Sequence, residues 1–358
     1  MATKRWLRGA DVLIPLGVLG AIVVLDALLP PRVVVGGAFA VAAIVASATT
    51  TVRRTAVVAA SALVLAALSG VWNHDLGTVR WWTRLVVTVV IGILAVLLAR
   101  SRVRRERALR HMTAIAEAAQ GALLRAMPSS IGSLRFAARY VSATKEALVG
   151  GDLYEVVETP GGVRVIVGDA RGKGLDAVQM AATVLAAFRR AAAIEPSLAA
   201  IATDLDGVVT AVAGDEDFVT AVLAEFDHDS TVKVLNCGHH PPLLTTRADA
   251  ARLLDTGEPQ PPLGLHPTPN PVTSHLPEGA RLLFYTDGLV ETRNRQGAFL
   301  PLRDSAAILR AGSLEHALDG LLGQVVDHAG DQIDDDMALV LVERAGPGSA
   351  NRSPRDEG

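Results

Sequence analysis

One cysteine in 358 residues, Cys237, rules out an intramolecular disulfide, and without further thiolates it cannot build a sulfur-rich zinc site. Nothing in its sequence surroundings suggests an activated thiolate, so a catalytic cysteine is disfavoured too. Aromatic residues make up only 4% of a chain that is 50% hydrophobic, so the apolar content comes from Ala, Val and Leu, concentrated near the N-terminus. The net charge of -3 gives no overall basic surface for nucleic acid and no acidic tail. Gly172-Lys173 lacks the spacing and the Ser or Thr of a P-loop, which argues against ATP hydrolysis.

What is present begins with four apolar stretches, residues 10–29, 33–51, 55–71 and 81–99. Each is near the ~20 residues that a helix needs to cross hydrocarbon, so four transmembrane helices are expected. A cleavable signal peptide is the competing reading of the first stretch, but three more follow it and no small-residue cleavage site is evident. The turns at Pro30-Pro31 and Arg53-Arg54 are too short for folded loops. Lys4, Arg5 and Arg8, then Arg53 and Arg54, then Arg100, Arg102, Arg104, Arg105 and Arg107 all fall on one side of such a bundle. By the positive-inside rule both termini face the cytoplasm of a multi-pass cell-membrane protein, with Trp72, Trp81 and Trp82 at the outer surface. Asp26, near the outer end of the first stretch, is either a functional carboxylate or, as its position favours, one that snorkels to the interface.

Residues 100–127 carry Val103, Leu109, Met112, Ile115, Ala119, Leu123 and Leu124, from Leu109 to Leu123 at three- and four-residue intervals, a helical period that Pro128 ends. This linker either pairs with its copy in a homodimer or packs passively on the next domain. From residue 128 to 345 the texture changes to short β-rich runs at 135–140, 153–158, 163–167, 219–227, 231–236, 281–285 and 337–342, with helices at 175–193 and 196–212. Antiparallel sheets flanked by helices, an α+β domain, fit this order better than a regular βαβ alternation. Residues 346–358 read as a polar, disordered tail.

Four aspartates in this domain each stand at a strand edge beside Gly or another Asp: Asp152, Asp169, Asp287 and Asp335. Singly, such a residue is an Asx-turn or a helix cap. Together, apolar strands would deliver four carboxylates to one end of a core, which is tolerable only with cations to neutralise them. An all-oxygen site suits Mg²⁺ or Mn²⁺ rather than zinc. Asp204-Leu205-Asp206 has the spelling of a phosphatase nucleophile motif, but it falls in a helical stretch.

Six motifs follow one another in this domain: Gly-Gly-Asp-Leu-Tyr-Glu at 150–155, Gly-Asp-Ala-Arg-Gly-Lys-Gly-Leu-Asp-Ala at 168–177 and Asn-Cys-Gly-His-His-Pro-Pro-Leu at 236–243. They continue with Pro-Leu-Gly-Leu at 262–265, Tyr-Thr-Asp-Gly-Leu-Val-Glu-Thr-Arg at 285–293 and Asp-Asp-Met-Ala-Leu at 335–339. Their wording and order, over residues 122–344, resemble the protein phosphatase 2C superfamily, in particular its bacterial SpoIIE-like branch. The resemblance implies a β-sandwich of two antiparallel sheets with helices outside each. It also implies a serine/threonine phosphoprotein phosphatase using two divalent cations, Mn²⁺ or Mg²⁺. Asp169 would bridge the metals, helped by the carbonyl of Ala170, with Asp152, Asp287 and Asp335 completing the set directly or through waters; Asp169 and Asp287 would act through a metal-bound water. Ala170, Arg171, Glu155 and Cys237 depart from the usual residues of the motifs, and none of these changes removes a proposed ligand.

Supporting roles stay open. Arg171 and Lys173 either bind phosphate or are solvated, His239 is a general acid or a loop-fixing residue, and Asp336 orients Asp335 or merely starts a strand. The family analogy implies a phosphorylated protein partner, such as an anti-sigma factor antagonist, besides the lipid bilayer. The competing reading is a catalytically weak membrane signalling adaptor with a phosphatase-like domain, which predicts lost ligands, whereas all four aspartates are present.

Overall fold

The computed structural model describes residues 3–28, 37–142, 150–214, 216–227, 229–246, 251–330, 333 and 335–346. The expected Pro30-Pro31 turn and nearly all of the expected tail lie outside the described residues. The chain divides into two compact units, Met1–His111 and Met112–Gly358.

The first unit is helical: α1 Thr3–Leu28, α2 Val41–Thr49, α3 Val52–Trp72 and the start of α4 Val79–Leu123. Small residues let these helices approach closely, with Ala42, Ala46, Ala62 and Ala66 fully buried around Phe39 and Leu19. By length and composition α3 and the 79–109 stretch of α4 are long and apolar enough to cross a membrane, and residues 13–28 and 38–49 form shorter apolar helices. α4 runs without a break through the expected end of the fourth span and most of the expected linker. Asp26 differs from the snorkelling expectation. It is 6% exposed and accepts hydrogen bonds from Trp72 Nε1 at 3.1 Å and Asn73 Nδ2 at 3.0 Å, partners too far along the sequence for its pattern to show.

The second unit is a four-layer sandwich. Its elements are β1 Ser130–Ile131, β2 Leu134–Val141, β3 Gly150–Thr159, β4 Gly162–Lys173, α5 Leu175–Ile194, α6 Leu198–Val212, β5 Val219–Phe226, β6 Thr231–Cys237, β7 Leu243–Thr245 and β8 Arg252–Leu253. There follow β9 Val272–His275, β10 Arg281–Tyr285, α7 Asp287–Val290, α8 Ala306–Arg310, α9 Leu314–Ala329 and β11 Met337–Arg344. One sheet has the order β1-β2-β11-β10-β7-β8 and the other β3-β4-β5-β6-β9, with every pairing between named strands antiparallel.

Both faces of each sheet are covered, which is why the central strands are almost continuously apolar. Alternation sorts them. Val163, Val165 and Val167 with Val222, Ala224, Phe284, Val340 and Val342 fill the space between the sheets. Ile166, Leu223 and Leu235 face outward onto α5 and α6, while Met337, Leu339 and Leu341 face outward onto α8 and α9. α5 too is apolar and long enough for a span by composition alone. Its apolar face, with Val184, Leu185 and Phe188, is buried against the five-stranded sheet, so packing within this domain accounts for it.

Candidate metal centre

The same alternation carries polar residues into the end of the sandwich. In β4 the inward parity of Val163, Val165 and Val167 continues to Asp169; in β11 that of Val342, Val340 and Ala338 leads back to Asp336; in β10 that of Leu282 and Phe284 leads on to Thr286. Asp152 pairs directly with Asp169 across β3 and β4, next to a register shift between Gly150 and Asp152. Asp152 and Asp169 therefore lie inside long strands, not at the strand edges expected. Gly151 permits this close packing: a Cβ there would meet the carbonyl oxygen of Ala170 at 2.2 Å. Asp287 opens α7 immediately after β10.

Carboxylate oxygens of Asp152, Asp169 and Asp287 lie within 4.8 Å of one another. Among the described residues, no basic side chain makes a hydrogen bond or ion pair with any of the three. Burial, then the charge of Asp169, pushes Asp152 well above the ordinary carboxylate range. Burial, followed by the charges of Asp287 and Asp335, pushes Asp169 up to about 7. Asp287 is raised by burial and then by Asp335. Three carboxylates that repel one another in a half-dry pocket form an all-oxygen donor set lacking only positive charge, and a hard divalent cation fits it.

The other expected residues are placed less uniformly. Asp335 Oδ1 accepts from Lys173 Nζ at 2.6 Å, near enough to the trio to raise two of its members but outside the tight group. Asp336 is buried; its carboxylate accepts from the Gly150 amide and from Ser142 Oγ, tying β11 to the start of β3. The Asp336 amide in turn donates to Asp335 Oδ1 at 3.0 Å. Arg171 is held on Glu216, with its guanidinium 5.5 Å above the centre of the Phe218 ring. Ala170 packs in the outer core while its carbonyl abuts Gly151.

His239 has both ring nitrogens engaged. Nε2 donates to the Tyr285 carbonyl at 3.0 Å, so Nδ1 is the acceptor for Thr220 Oγ1 at 2.9 Å. Burial and the neighbouring His240 lower its pKa to about 3, so the ring is neutral and fixes the end of β10 from which Thr286 and Asp287 emerge. Burial pushes the Cys237 thiol up to about 12, which leaves it inert. Asp204 and Asp206, in α6, are absorbed by Arg190 and by the Gly264 and His266 amides.

Two residues were not anticipated. Thr286, fully buried, donates to Asp152 Oδ2 at 2.8 Å; its place beside Asp287 and its inward parity were the available signals. Gln120, on α4, donates to the Asp152 carbonyl at 3.3 Å and accepts from Tyr140 Oη at 2.9 Å. No sequence pattern marks it.

The family model described as stage II sporulation protein E (SpoIIE) matches residues 159–345. Asp152 precedes that segment and reaches the site through the pairing of β3 with β4. Among solved structures, the RsbU and RsbW domains of a Mycobacterium tuberculosis protein are 25% identical with a TM-score of 0.52, covering 60% of this chain and 60% of that one. The SiaA PP2C domain of Pseudomonas aeruginosa is 18% identical with a TM-score of 0.56, covering 69% of this chain and 100% of its own. The PP2C phosphatase domain of Bacillus subtilis SpoIIE, solved with a fragment of its regulatory domain, is 21% identical with a TM-score of 0.50, covering 60% and 65%. The chain thus spans about 60% of the length of the first of these, and the sandwich architecture is shared.

Proposed function

Since this chain belongs to the SpoIIE family, we propose that it is a membrane-anchored, metal-dependent protein serine/threonine phosphatase whose catalytic domain works on the cytoplasmic side of the cell membrane. The observation that carries the catalytic part is the convergence of Asp152, Asp169 and Asp287 within 4.8 Å, without a basic partner among the described residues. These three would hold two Mn²⁺ or Mg²⁺ ions, with Asp335 and the Ala170 carbonyl as further donors. Such cations, when bound, supply Lewis acidity that acidifies water and neutralises phosphoryl oxygens. Asp152 is oriented for this role by Thr286, and Asp336 holds the two sheets together beside it. Lys173, on the rim at Asp335, brings a positive charge to a phosphoryl group. Arg171, engaged by Glu216, serves to brace the loop before β5.

The substrate is a phosphoserine or phosphothreonine protein, and a sigma-factor regulatory partner such as an anti-sigma factor antagonist fits best. Support comes from the similar M. tuberculosis chain, in which an RsbU domain is joined to an RsbW domain. The membrane part rests on α3 and α4, whose aliphatic side chains at Val57, Val64, Val90, Ile93, Leu97 and Leu98 stand exposed as a lipid-facing surface would. In this reading residues 1–99 anchor the chain by several passes, 100–127 connect, 128–345 catalyse and 346–358 trail. Met112 and Ile115 are exposed on α4 and would serve a homodimer through that helix.

The test is phosphate release from a phosphothreonine peptide by the full chain in detergent, with Mn²⁺ and with EDTA. Activity should need the metal and vanish in Asp169→Asn and Asp287→Asn. Full activity in either variant would sink the site, and a wild-type protein that binds Mn²⁺ yet releases no phosphate would leave the adaptor reading standing.

A further inference from the structure

Between α3 and α4 lies an open groove of about 370 Å³ lined by Ala56, Ala59 and Ala60 on one side and Gly92, Ile93 and Val96 on the other. Small side chains create it: even a Cβ added to Gly92 would meet Ala59 only at ordinary contact distance, 3.4 Å. One end of this groove is marked by Arg100, which also lines a second cavity of about 510 Å³. That second cavity is basic, bounded by Arg53, Arg100, Arg104 and Arg107 with Thr51 and Val52.

Three features make this mouth a place for an anion. Among the described residues no carboxylate pairs with Arg53, Arg100, Arg104 or Arg107; the nearby Glu106 lies 3.7 Å from Arg102, whose guanidinium also caps the Ala48 and Thr50 carbonyls. Thr51 and Val52 are the N-cap and first residue of α3, and the Thr51 side chain makes no capping hydrogen bond. The first-turn amides of a helix lack partners within it, and its dipole favours negative charge there. The third feature is the adjoining groove, apolar along its length, which free phosphate would leave empty.

We propose that the groove and the basic cavity together bind one anionic phospholipid, its phosphate among the four arginines and an acyl chain along the α3–α4 groove. This rests on the reading of α3 and α4 as bilayer helices and is independent of the catalytic assignment. Arginines that the positive-inside pattern explains only as a topological bias thereby acquire a specific ligand.

Native mass spectrometry of the full chain, released from nanodiscs of equimolar phosphatidylglycerol and phosphatidylcholine, tests it. The wild type should retain phosphatidylglycerol with a preference of roughly tenfold or more, given that each basic residue near an anionic lipid contributes appreciably. Arg53→Gln/Arg104→Gln/Arg107→Gln should lower that preference to near unity. Ala56→Leu/Ala60→Leu, which fills the groove and keeps every arginine, should lose bound lipid altogether. Far-ultraviolet circular dichroism and a monodisperse elution in detergent that match the wild type show that both variants are folded. Equal retention of the two lipids by the wild type, an undiminished preference in both variants, or displacement of the lipid by millimolar inorganic phosphate would overturn the proposal. Carbonate extraction separates the two levels: a chain washed off membranes defeats the bilayer reading and this one with it, whereas a chain that stays embedded without headgroup preference defeats this one alone.

Discussion

The Thr286 hydroxyl donates to Asp152 Oδ2 at 2.8 Å and accepts the Ala338 amide at 2.9 Å. With one lone pair committed to the amide, its proton has a fixed direction, and that direction orients a carboxylate of the proposed metal centre. Thr286→Val keeps the shape, removes the hydrogen bond and leaves the Ala338 amide without this acceptor. Apparent Mn²⁺ affinity, read from the metal dependence of phosphopeptide hydrolysis, should fall by roughly 10- to 100-fold, the usual cost of losing a partner behind a ligand. Thr286→Ser should retain most of the affinity; if both variants behave alike, the hydroxyl is not the orienting group.

The raised carboxylates give stability a definite pH dependence. In the metal-free protein, Asp169 titrates at about 7, and Asp152 and Asp287 also lie above the ordinary range. Between the unfolded value near ~4 and the folded values, the native state binds more protons than the unfolded one, so stability falls as pH rises. It is fully present below that window and lost above it. Mn²⁺ requires the deprotonated forms, so the stabilisation it brings should grow with pH. Thermal unfolding in EDTA and in Mn²⁺ should show a small gap at pH 5 and a wide one at pH 8. A metal-free protein whose melting point climbs across this range would contradict the assignment.

Much of this was legible because apolar runs and alternation report sheets directly. The expected strand at 281–285 coincides with β10, and that at 135–140 falls within β2, Leu134–Val141. The ends of β3 and β4 were hidden for the same reason that the site exists. Gly150 to Asp152 and Gly168 to Lys173 are polar or glycine-rich, which reads as loop, yet both segments stay in the ladder. Helix α9 is not among the expected helices, although Leu314, Leu318, Leu321 and Val325 repeat at helical spacing along its buried face. Partnerships such as Asp26 with Trp72, or Gln120 with Asp152, join residues far apart in sequence, and no local pattern can encode them.

Lys173 and Asp335 offer a way to separate an ion pair from a ligand. Their side chains are 42% and 36% exposed, so the 2.6 Å contact is screened and contributes less than about 1 kcal/mol to stability. Lys173→Ala should therefore leave unfolding by denaturant nearly unchanged. If Asp335 serves the metals, Asp335→Asn should weaken Mn²⁺ dependence well beyond Lys173→Ala, whereas two variants with equal, mild effects would confine Asp335 to its lysine.

Gly288 sets the spacing between α7 and β11, since a Cβ at that position would lie 2.0 Å from the Asp336 carbonyl oxygen. The obstacle is backbone, so no side-chain rotation relieves it, and α7 with Asp287 must move away from Asp336, the residue just before β11. Gly288→Ala should cost about 1–3 kcal/mol, the range for forcing atoms into a filled space. Because a displacement near 1 Å can lower turnover by about a hundredfold, phosphate release should fall far more than folding does at saturating Mn²⁺. Gly323→Ala is the control: it lies inside α9 with nothing within 4 Å of the added Cβ. That helix should gain up to about 1 kcal/mol with turnover unchanged. Should Gly288→Ala match the control in both stability and turnover, the close approach of α7 to Asp336 would have no part in placing Asp287.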